Sequence, residues 1–376
     1  MSAKTVLVFG AGATAACGGP MTASILPDAY QAVRDGADRE LFGREDFFPE
    51  LATFLKDEFH VNPFAAAAPP KEAYPPLPLL LSLVDTALDR KQPLGLKYGL
   101  RELRKVRQAV EYVVFALLDH RLRQIPAGHN YYRKALELVR ERTGEDPAVI
   151  TLNYDILVDN AMLGRNEERA ITAIPDYGVE LAYSRAIQPE KRGTLLKIHG
   201  SLNWFYCPAC NRLSLGISRS LASTYKVTYE LFSAGHDLNK WYTCHGMPCA
   251  QCGEVAGQDS QAFVEPLLIT PTHLKDYRNP HISRLWYLAE KTLREAERVV
   301  FVGYSLPEDD LEVAYLLKRA LTSKKPEQIT VVEYDPKEKR SLAQHDVGRR
   351  YRSLLGVQEV GWRTDGFQGW IDNPRL

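Results

Sequence analysis

Five short runs of apolar and β-branched residues punctuate the chain at Thr5–Phe9, Ala148–Leu152, Thr194–Ile198, Arg298–Val302 and Gln328–Val332. Each run stops at a glycine or a polar side chain: Gly10, Asn153, His199, Gly303 and Glu333. Strands this short and this uniformly apolar are buried on both faces, which happens in parallel sheets covered by helices. Helical spacing surrounds the fourth run. Leu285, Leu288, Leu293 and Ala296 precede it, and Leu311, Ala314, Leu317 and Leu321 follow. The alternation predicts an α/β fold built on a Rossmann-like, doubly wound parallel sheet. In such a sheet the carboxyl ends of the strands share one edge, where ligands bind. Residues scattered along the sequence are therefore expected to meet there.

The first strand runs into Gly10-Ala11-Gly12-Ala13-Thr14, a tight turn whose missing side chains let backbone amides approach a phosphate. Ala15 occupies the third glycine position of the dinucleotide fingerprint, and no clear strand ending in an acidic residue lies about 20 residues on. A plain strand-to-helix turn is the alternative. The second strand ends in Asn153-Tyr154-Asp155 before a helix begins. Asp155 suits either a ligand contact at the sheet edge or a helix N-cap.

Between these two strands the texture is helical from Asp46 to about Gly144. Phe47, Leu51, Phe54, Leu55 and Phe59 recur at helical spacing, as do Leu103, Val106, Val110, Val113, Val114, Leu117 and Leu118. Ala65 to Pro70, with Pro75, Pro76 and Pro78 beyond, reads as an extended loop. The segment is expected to pack as a helical insertion, with His120 and His129 as surface or packing residues.

The 376 residues suffice for two or three compact units, and 47 basic residues balance 47 acidic ones. A neutral chain lacks the basic excess of a nucleic-acid binder, so direct nucleic-acid binding is not expected. The N-terminus has no signal-peptide core, and no apolar run approaches the roughly 18 residues of a membrane helix. A cytoplasmic location is expected, and there six cysteines favour metal or catalytic use over disulfides.

Cys207-Pro208-Ala209-Cys210 and Cys249-Ala250-Gln251-Cys252 form two CxxC pairs separated by 38 residues. Two such knuckles close a tetrahedral zinc site, and four thiolates leave no position for an activated water, so the metal is structural. The long spacing implies a loop around Tyr225 to Trp241, and Cys244 or His245 stands as an alternative fourth ligand. Just upstream, Lys197-Ile198-His199-Gly200 ends the third strand, with a polar turn expected at Ser201-Leu202-Asn203. A lone histidine is usually structural. Here the neighbouring strand ends bring Asn153, Asp155, Ser305 and the glycine turn to the same edge, where a neutral imidazole serves as a general base.

The ordered set of Gly10 to Thr14, Thr151 to Asp155, His199-Gly200, the two CxxC pairs and Gly303-Tyr304-Ser305-Leu306 resembles the sirtuin family. His199-Gly200-Ser201-Leu202-Asn203-Trp204 looks most like the bacterial sirtuin-like branch that acts in antiphage defence. The resemblance implies NAD+ as the bound nucleotide. It puts Gly10, Ala11, Gly12, Ala13 and Thr14 around the pyrophosphate, and Asn153 and Asp155 near the nicotinamide ribose. His199 takes the catalytic base position; Gly303, Ser305 and Leu306 lie under the adenosine half, and Glu333 holds its ribose.

Departures from deacylating sirtuins choose between reactions. Gly19-Pro20-Met21-Thr22 stands where those enzymes carry an Ile-Pro-Asp-Phe-Arg-like segment. Phe263-Val264-Glu265-Pro266-Leu267 stands at the peptide-binding strand, where Pro266 removes a backbone donor. The expectation is an NAD+ hydrolase that releases nicotinamide and ADP-ribose. Its rivals are an NAD-dependent protein deacylase and a non-catalytic NAD or ADP-ribose sensor. The antiphage resemblance further implies a homo-oligomer and a separate partner chain, such as a hexameric DNA-translocating ATPase or a short Argonaute. The expected domains are 1–45, 146–204 and 263–376 for the NAD-binding body, 46–145 for the helical insertion and 205–262 for the zinc-binding module.

Overall fold

The computed structural model describes residues 4–43, 47–165, 171–182, 190–215, 247–249, 252, 263–272, 275, 277–308, 310–335, 337 and 339–374. The loop expected around Tyr225 to Trp241 and the alternative ligands Cys244 and His245 lie outside these residues. The described strands are β1 (Thr5–Phe9), β2 (Ala148–Thr151), β3 (Gly164–Arg165), β4 (Ile171–Asp176), β5 (Glu190–Lys197) and β6 (Gly200–Tyr206). They continue with β7 (Leu213–Leu215), β8 (Met247–Pro248), β9 (Phe263–Leu268), β10 (Arg298–Val302), β11 (Ile329–Val332) and β12 (Gly361–Arg363).

Eight strands form one sheet in the order β12-β11-β10-β1-β2-β5-β4-β3. All neighbours pair in parallel except the short edge strand β3, which runs antiparallel to β4. The chain leaves β1 toward β2 on one side and later returns to place β10 on the other, so the order reverses at β1. This is the doubly wound, Rossmann-like arrangement expected from the apolar runs. Val6, Leu7, Phe9, Val149, Leu195, Val299 and Phe301 are fully buried within it.

Three strands had no clear signal in the sequence. β3 and β12 are short strands at the two sheet edges, β4 lies beside β3, and β5 starts at Glu190 with an exposed Glu190-Lys191-Arg192 stretch that pairs with β4. An edge position tolerates charge, so the hydrophobic signal of the strand begins only where β2 covers it.

A second sheet, in the order β7-β6-β9-β8, is antiparallel throughout. Its strand β6 occupies the Ser201-Leu202-Asn203 stretch, so these residues are not the polar turn expected from their chemistry. The turn lies earlier, at Ile198 and His199. Ser201 and Asn203 are both buried, and the Ser201 hydroxyl donates to Asn203 Oδ1 at 2.6 Å.

The chain divides into two compact units. One comprises Met1–Gly18, Ile125–Leu268 and Tyr277–Leu376 and holds both sheets; the other comprises Gly19–Gln124 and Ile269–Asp276. The second unit is helical, with helices at Ile25–Arg34, Phe48–Phe59, Leu77–Asp89 and Leu100–Arg123. Its core gathers Tyr30, Phe48, Phe54, Leu80, Leu103 and Tyr112. Arg107 ties it together, donating to Asp85 at 2.7 Å, Glu111 at 2.6 Å and the Thr270 hydroxyl at 2.8 Å. That last bond ties Thr270 to the helix Leu100–Arg123. No described helix is long and apolar enough to cross a membrane.

Candidate active site

Main-chain hydrogen bonds continue past the strand ends and bind them into one edge. Gly10 N donates to Val302 O at 3.1 Å, Leu152 N to Phe9 O at 3.0 Å, Ile198 N to Thr151 O at 3.2 Å and Gly303 N to Val332 O at 3.0 Å. Parallel strands lie about 4.8 Å apart, so the ends of β5 and β11 each stand roughly 10 Å from the end of β1. The candidates of the sequence, from His199 through Asn153, Gly10 and Gly303 to Glu333, therefore follow one another along this edge.

At its centre two glycine turns meet backbone to backbone. Gly12 N donates to Gly303 O at 2.8 Å. A Cβ on Gly12 would lie 2.8 Å from Gly303 Cα, and one on Gly303 would lie 2.3 Å from Ala13 N. Gly303 also has φ +62. These glycines are required by the contact itself, whatever ligand lies above them. Ala11 and Gly12 are partly exposed beside the buried Ala13 and Thr14.

Asn153 is held by its amide. Its Nδ2 donates to Gly10 O at 2.8 Å and to Thr14 Oγ1 at 3.0 Å, with Tyr132 OH at 3.4 Å. These bonds fix which end of the amide is Nδ2 and point it inward, toward Gly10 and Thr14. Thr14 in turn donates to Asp155 Oδ2 at 2.6 Å, and Asp155 Oδ1 accepts from Leu157 N at 2.9 Å. The carboxylate of Asp155 is 4% exposed and spends both oxygens on these bonds. These bonds tie the carboxylate to the Thr14 hydroxyl and to the first amide of the helix Leu157–Met162, whose N-cap position is Ile156. Burial raises its pKa above the ordinary carboxylate value, with the nearby Lys197 ammonium opposing the shift.

His199 is 7% exposed, and its ring faces an aromatic pair, Trp286 and Tyr277, with centroids 6.3 and 6.4 Å away and 4.6 Å from each other. Trp286 is itself fixed by donating Nε1–H to Ile198 O at 2.9 Å. Nδ1 of His199 lies 3.2 Å from Leu152 O. A carbonyl only accepts, so this bond puts a proton on Nδ1; in the neutral imidazole the lone pair is then on Nε2. Gly200 follows with φ +78, and a Cβ there would stand 1.9 Å from Leu267 O. Only glycine lets β6 depart against β9 directly after the histidine.

The remaining candidates are spread over the other half of the edge. Ser305 is exposed, its carbonyl accepting from Arg350 Nε at 2.9 Å, and Leu306 is buried with φ +49. Tyr304 underpins this loop by donating to Asp310 Oδ2 at 2.8 Å. Glu333 is partly exposed, and its Oε1 accepts from Tyr334 N at 3.0 Å.

Two groups at the edge escaped the sequence reading. Tyr132, from the helix Tyr131–Thr143, is fully buried and puts its hydroxyl 3.1 Å from Thr14 Oγ1. Its ring meets Phe9 edge-on at 4.7 Å. Nothing in the local pattern separates this tyrosine from an ordinary apolar-face residue. Lys197 is the other, a lysine inside an apolar run. Cys17 also lies close by in sequence, and burial pushes its thiol pKa up to about 12, favouring the protonated thiol.

The cysteine pairs converge beside β6. Cys207 and Cys252 sulfurs are 3.8 Å apart, Cys210 and Cys249 3.7 Å, and Cys249 and Cys252 3.9 Å. All four sulfurs lie within 4.8 Å of one another. Tetrahedral zinc with Zn–S bonds of about 2.3 Å requires sulfur–sulfur separations of about 3.8 Å, so the four thiols fit that ion.

No curated protein matches the chain. Among solved structures, a Sir2 homologue in complex with NAD is 14% identical, with 98% of this chain and 87% of that one covered and a TM-score of 0.42. Sir2 bound to an acetylated peptide is 13% identical, with 95% of each chain covered and a TM-score of 0.37. A structure addressing the mechanism and regulation of Sir2 enzymes is 15% identical, with 94% and 91% covered and a TM-score of 0.33. The family model of the SIR2-like domain matches residues 147–351, more than half of the chain and a span that takes in Asn153, His199, the four cysteines and Gly303. The chain belongs to the SIR2-like domain family.

Proposed function

We propose that this protein is an NAD+ hydrolase that cleaves the nicotinamide–ribose bond to release nicotinamide and ADP-ribose. The observation that carries the reading is the pairing of Asn153 and His199 at adjacent strand ends. Each is held by a main-chain carbonyl, Asn153 on Gly10 O and His199 on Leu152 O. NAD+ lies along the strand edge, with its pyrophosphate at Gly10, Ala11, Gly12, Ala13 and Thr14. Its adenosine half lies over Gly303, Ser305 and Leu306, with the ribose hydroxyls on Glu333. Asp155 acts from beneath by orienting Thr14.

Cleavage passes through an oxocarbenium-like state, as in other glycosidic bonds. Asn153 Oδ1 orients the ribose and the attacking water. His199 Nε2 accepts the proton that the water loses as its oxygen bonds to the ribose carbon and nicotinamide leaves with the bonding electrons. Preorganised groups of this kind supply much of a rate enhancement.

Cys207, Cys210, Cys249 and Cys252 would hold a structural zinc, whose four thiolate ligands would leave no open position for catalysis. The inserted helical segment, drawn from sequence at 46–145 between the parts of the NAD-binding body, belongs to the same proposal. The reading extends to a cytoplasmic effector of bacterial antiphage defence that depletes NAD+. It works as a homo-oligomer under the control of a separate partner chain, such as a hexameric DNA-translocating ATPase or a short Argonaute.

Against a protein deacylase, β9 already pairs with β6 on one side and with β8 at Phe263 and Val264 on the other, and it carries Pro266. An acyl-lysine peptide adding as a strand would find a reduced set of donors there. The test is to incubate NAD+ with the purified chain, alone and with the product of its genomic neighbour, and to identify the products. Peptide-independent nicotinamide and ADP-ribose are expected, with turnover lost in His199→Ala and Asn153→Ala. Acyl-ADP-ribose formed only with peptide would establish the deacylase; binding without turnover under all conditions would establish a sensor.

A further inference from the structure

Beneath the strand edge lies a buried charge cluster that the hydrolysis does not use. Lys197, the last residue of β5, is fully buried. Its Nζ donates to Asp159 Oδ2 at 2.7 Å and to the main-chain carbonyl of Asp155 at 2.5 Å. Asp159, also fully buried, sits in the first turn of the helix Leu157–Met162 and accepts at Oδ1 from Tyr177 OH at 2.7 Å. Taking both charges out of water is costly, and well-packed apolar side chains of the same volume commonly hold a core as well or better. A packing role alone therefore leaves the ammonium unexplained.

The second bond of Lys197 supplies the reason. Asn153, Tyr154 and Asp155 form the turn that carries the candidate asparagine, and each of the three is pinned by a different element. Asn153 Nδ2 bonds Gly10 O at 2.8 Å, the Tyr154 carbonyl accepts from Leu202 N at 2.9 Å, and the Asp155 carbonyl accepts from Lys197 Nζ. Lys197 stands two residues before His199 on the same chain. One strand end thus sets the place of the histidine and, through the ammonium, the place of the asparagine turn.

We propose that Lys197, oriented by Asp159 and Tyr177, is a positioning residue that holds the Asn153 turn in register with His199; this rests on the hydrolase reading for its catalytic consequence. Lys197 touches no substrate and transfers no proton. It fixes a distance on which the attack depends, and misplacement by about 1 Å in an active site can cost 10²-fold in rate.

The test compares wild type with Lys197→Met and with the double variant Lys197→Met/Asp159→Asn, in the full chain with any activating partner present. The single variant strands the Asp159 carboxylate and is expected to fold poorly. The double variant removes both charges while the new amide still accepts from Tyr177, so its melting temperature is expected to stay near wild type. Three readouts follow. KM for NAD+ should change by no more than about threefold while kcat falls by about tenfold or more. The amides of Leu202 and Leu157, which donate to Tyr154 O and Asp155 Oδ1, should exchange with solvent about tenfold faster or more.

A double variant that is stable, keeps both amides protected and keeps kcat would overturn the proposal, leaving Lys197 as a counter-ion for Asp159. A fall in kcat that only tracks a fall in melting temperature would overturn it as well. Wild type that turns over no NAD+ defeats the hydrolase reading instead, and the exchange of the Leu202 and Leu157 amides still decides whether Lys197 positions the turn.

Discussion

Replacing Gly200 by alanine tests whether the histidine is delivered by backbone geometry. Gly200 has φ +78, and the left-handed region costs a residue with a Cβ roughly 1–2 kcal/mol. The added Cβ would stand 1.9 Å from Leu267 O and 2.8 Å from Leu267 C. Reaching ordinary contact means a displacement of about 1.5 Å between main chains that are paired across β6 and β9, with Gly200 opposite Leu268. Neither partner is a flexible side-chain end, so the strain resembles overpacking of a core, typically about 1–3 kcal/mol. Together the two effects amount to about 2–5 kcal/mol. At roughly 2–4 °C per kcal/mol for a body of this size, the melting temperature of Gly200→Ala should fall by on the order of 10 °C. His199 is the adjacent residue, so a shift of about 1 Å transmitted to its ring should lower kcat for NAD+ by about 10²-fold even where the protein stays folded. Differential scanning fluorimetry and nicotinamide release measure the two effects separately. A variant that melts within a degree or two of wild type would refute the geometric argument, since neither the backbone strain nor the clash could then be real.

Two further outcomes concern charge and metal. Burial raises the folded-state pKa of Asp155, so the folded chain holds this proton at a higher pH than the unfolded chain does. The stability it contributes is complete below the unfolded value near 3.9 and is lost as pH rises through the raised folded value. Urea midpoints across that window should therefore show Asp155→Asn gaining on wild type as pH rises; a constant difference would mean that the carboxylate does not titrate abnormally. Metal analysis should find about one zinc per chain, and a strong chelator should lower the melting temperature, because four thiolates at these separations bind the ion into the fold. Freshly prepared, folded protein free of zinc would refute that assignment.

Much of the site was legible because it depends on the strand ends. Thr5–Phe9 and Arg298–Val302 are apolar at every or nearly every position, so both their burial and their parallel pairing follow from local pattern, and with them the shared edge of Gly10 and Gly303. The two CxxC pairs were equally plain, since thiols at that spacing have few other uses in a chain of this kind. Helical periodicity was less informative about allegiance. The helix Tyr131–Thr143 has the same texture as its predecessors, yet it belongs to the unit that holds the sheets and brings Tyr132 against Phe9 and Phe367. Periodicity reports that one face is buried and carries no information about what buries it.

The sequence by itself determined the strand order of chemistry: which residues end which strands, and that a parallel sheet gathers those ends on one edge. Tertiary structure alone decided how those residues are used. Asp155 bonds Thr14 across the fold, and Asn203 became a buried strand residue because β6 pairs with β7 and β9. Lys197, in an apolar run where a lysine looks out of place, found its partners only when Asp159, itself bonded by Tyr177, and the Asp155 carbonyl came together at its ammonium. The physical reason is that partners distant in sequence, such as Thr14 for Asp155 and Asp159 for Lys197, are set by packing, whereas a residue's place on a strand is set by its immediate neighbours.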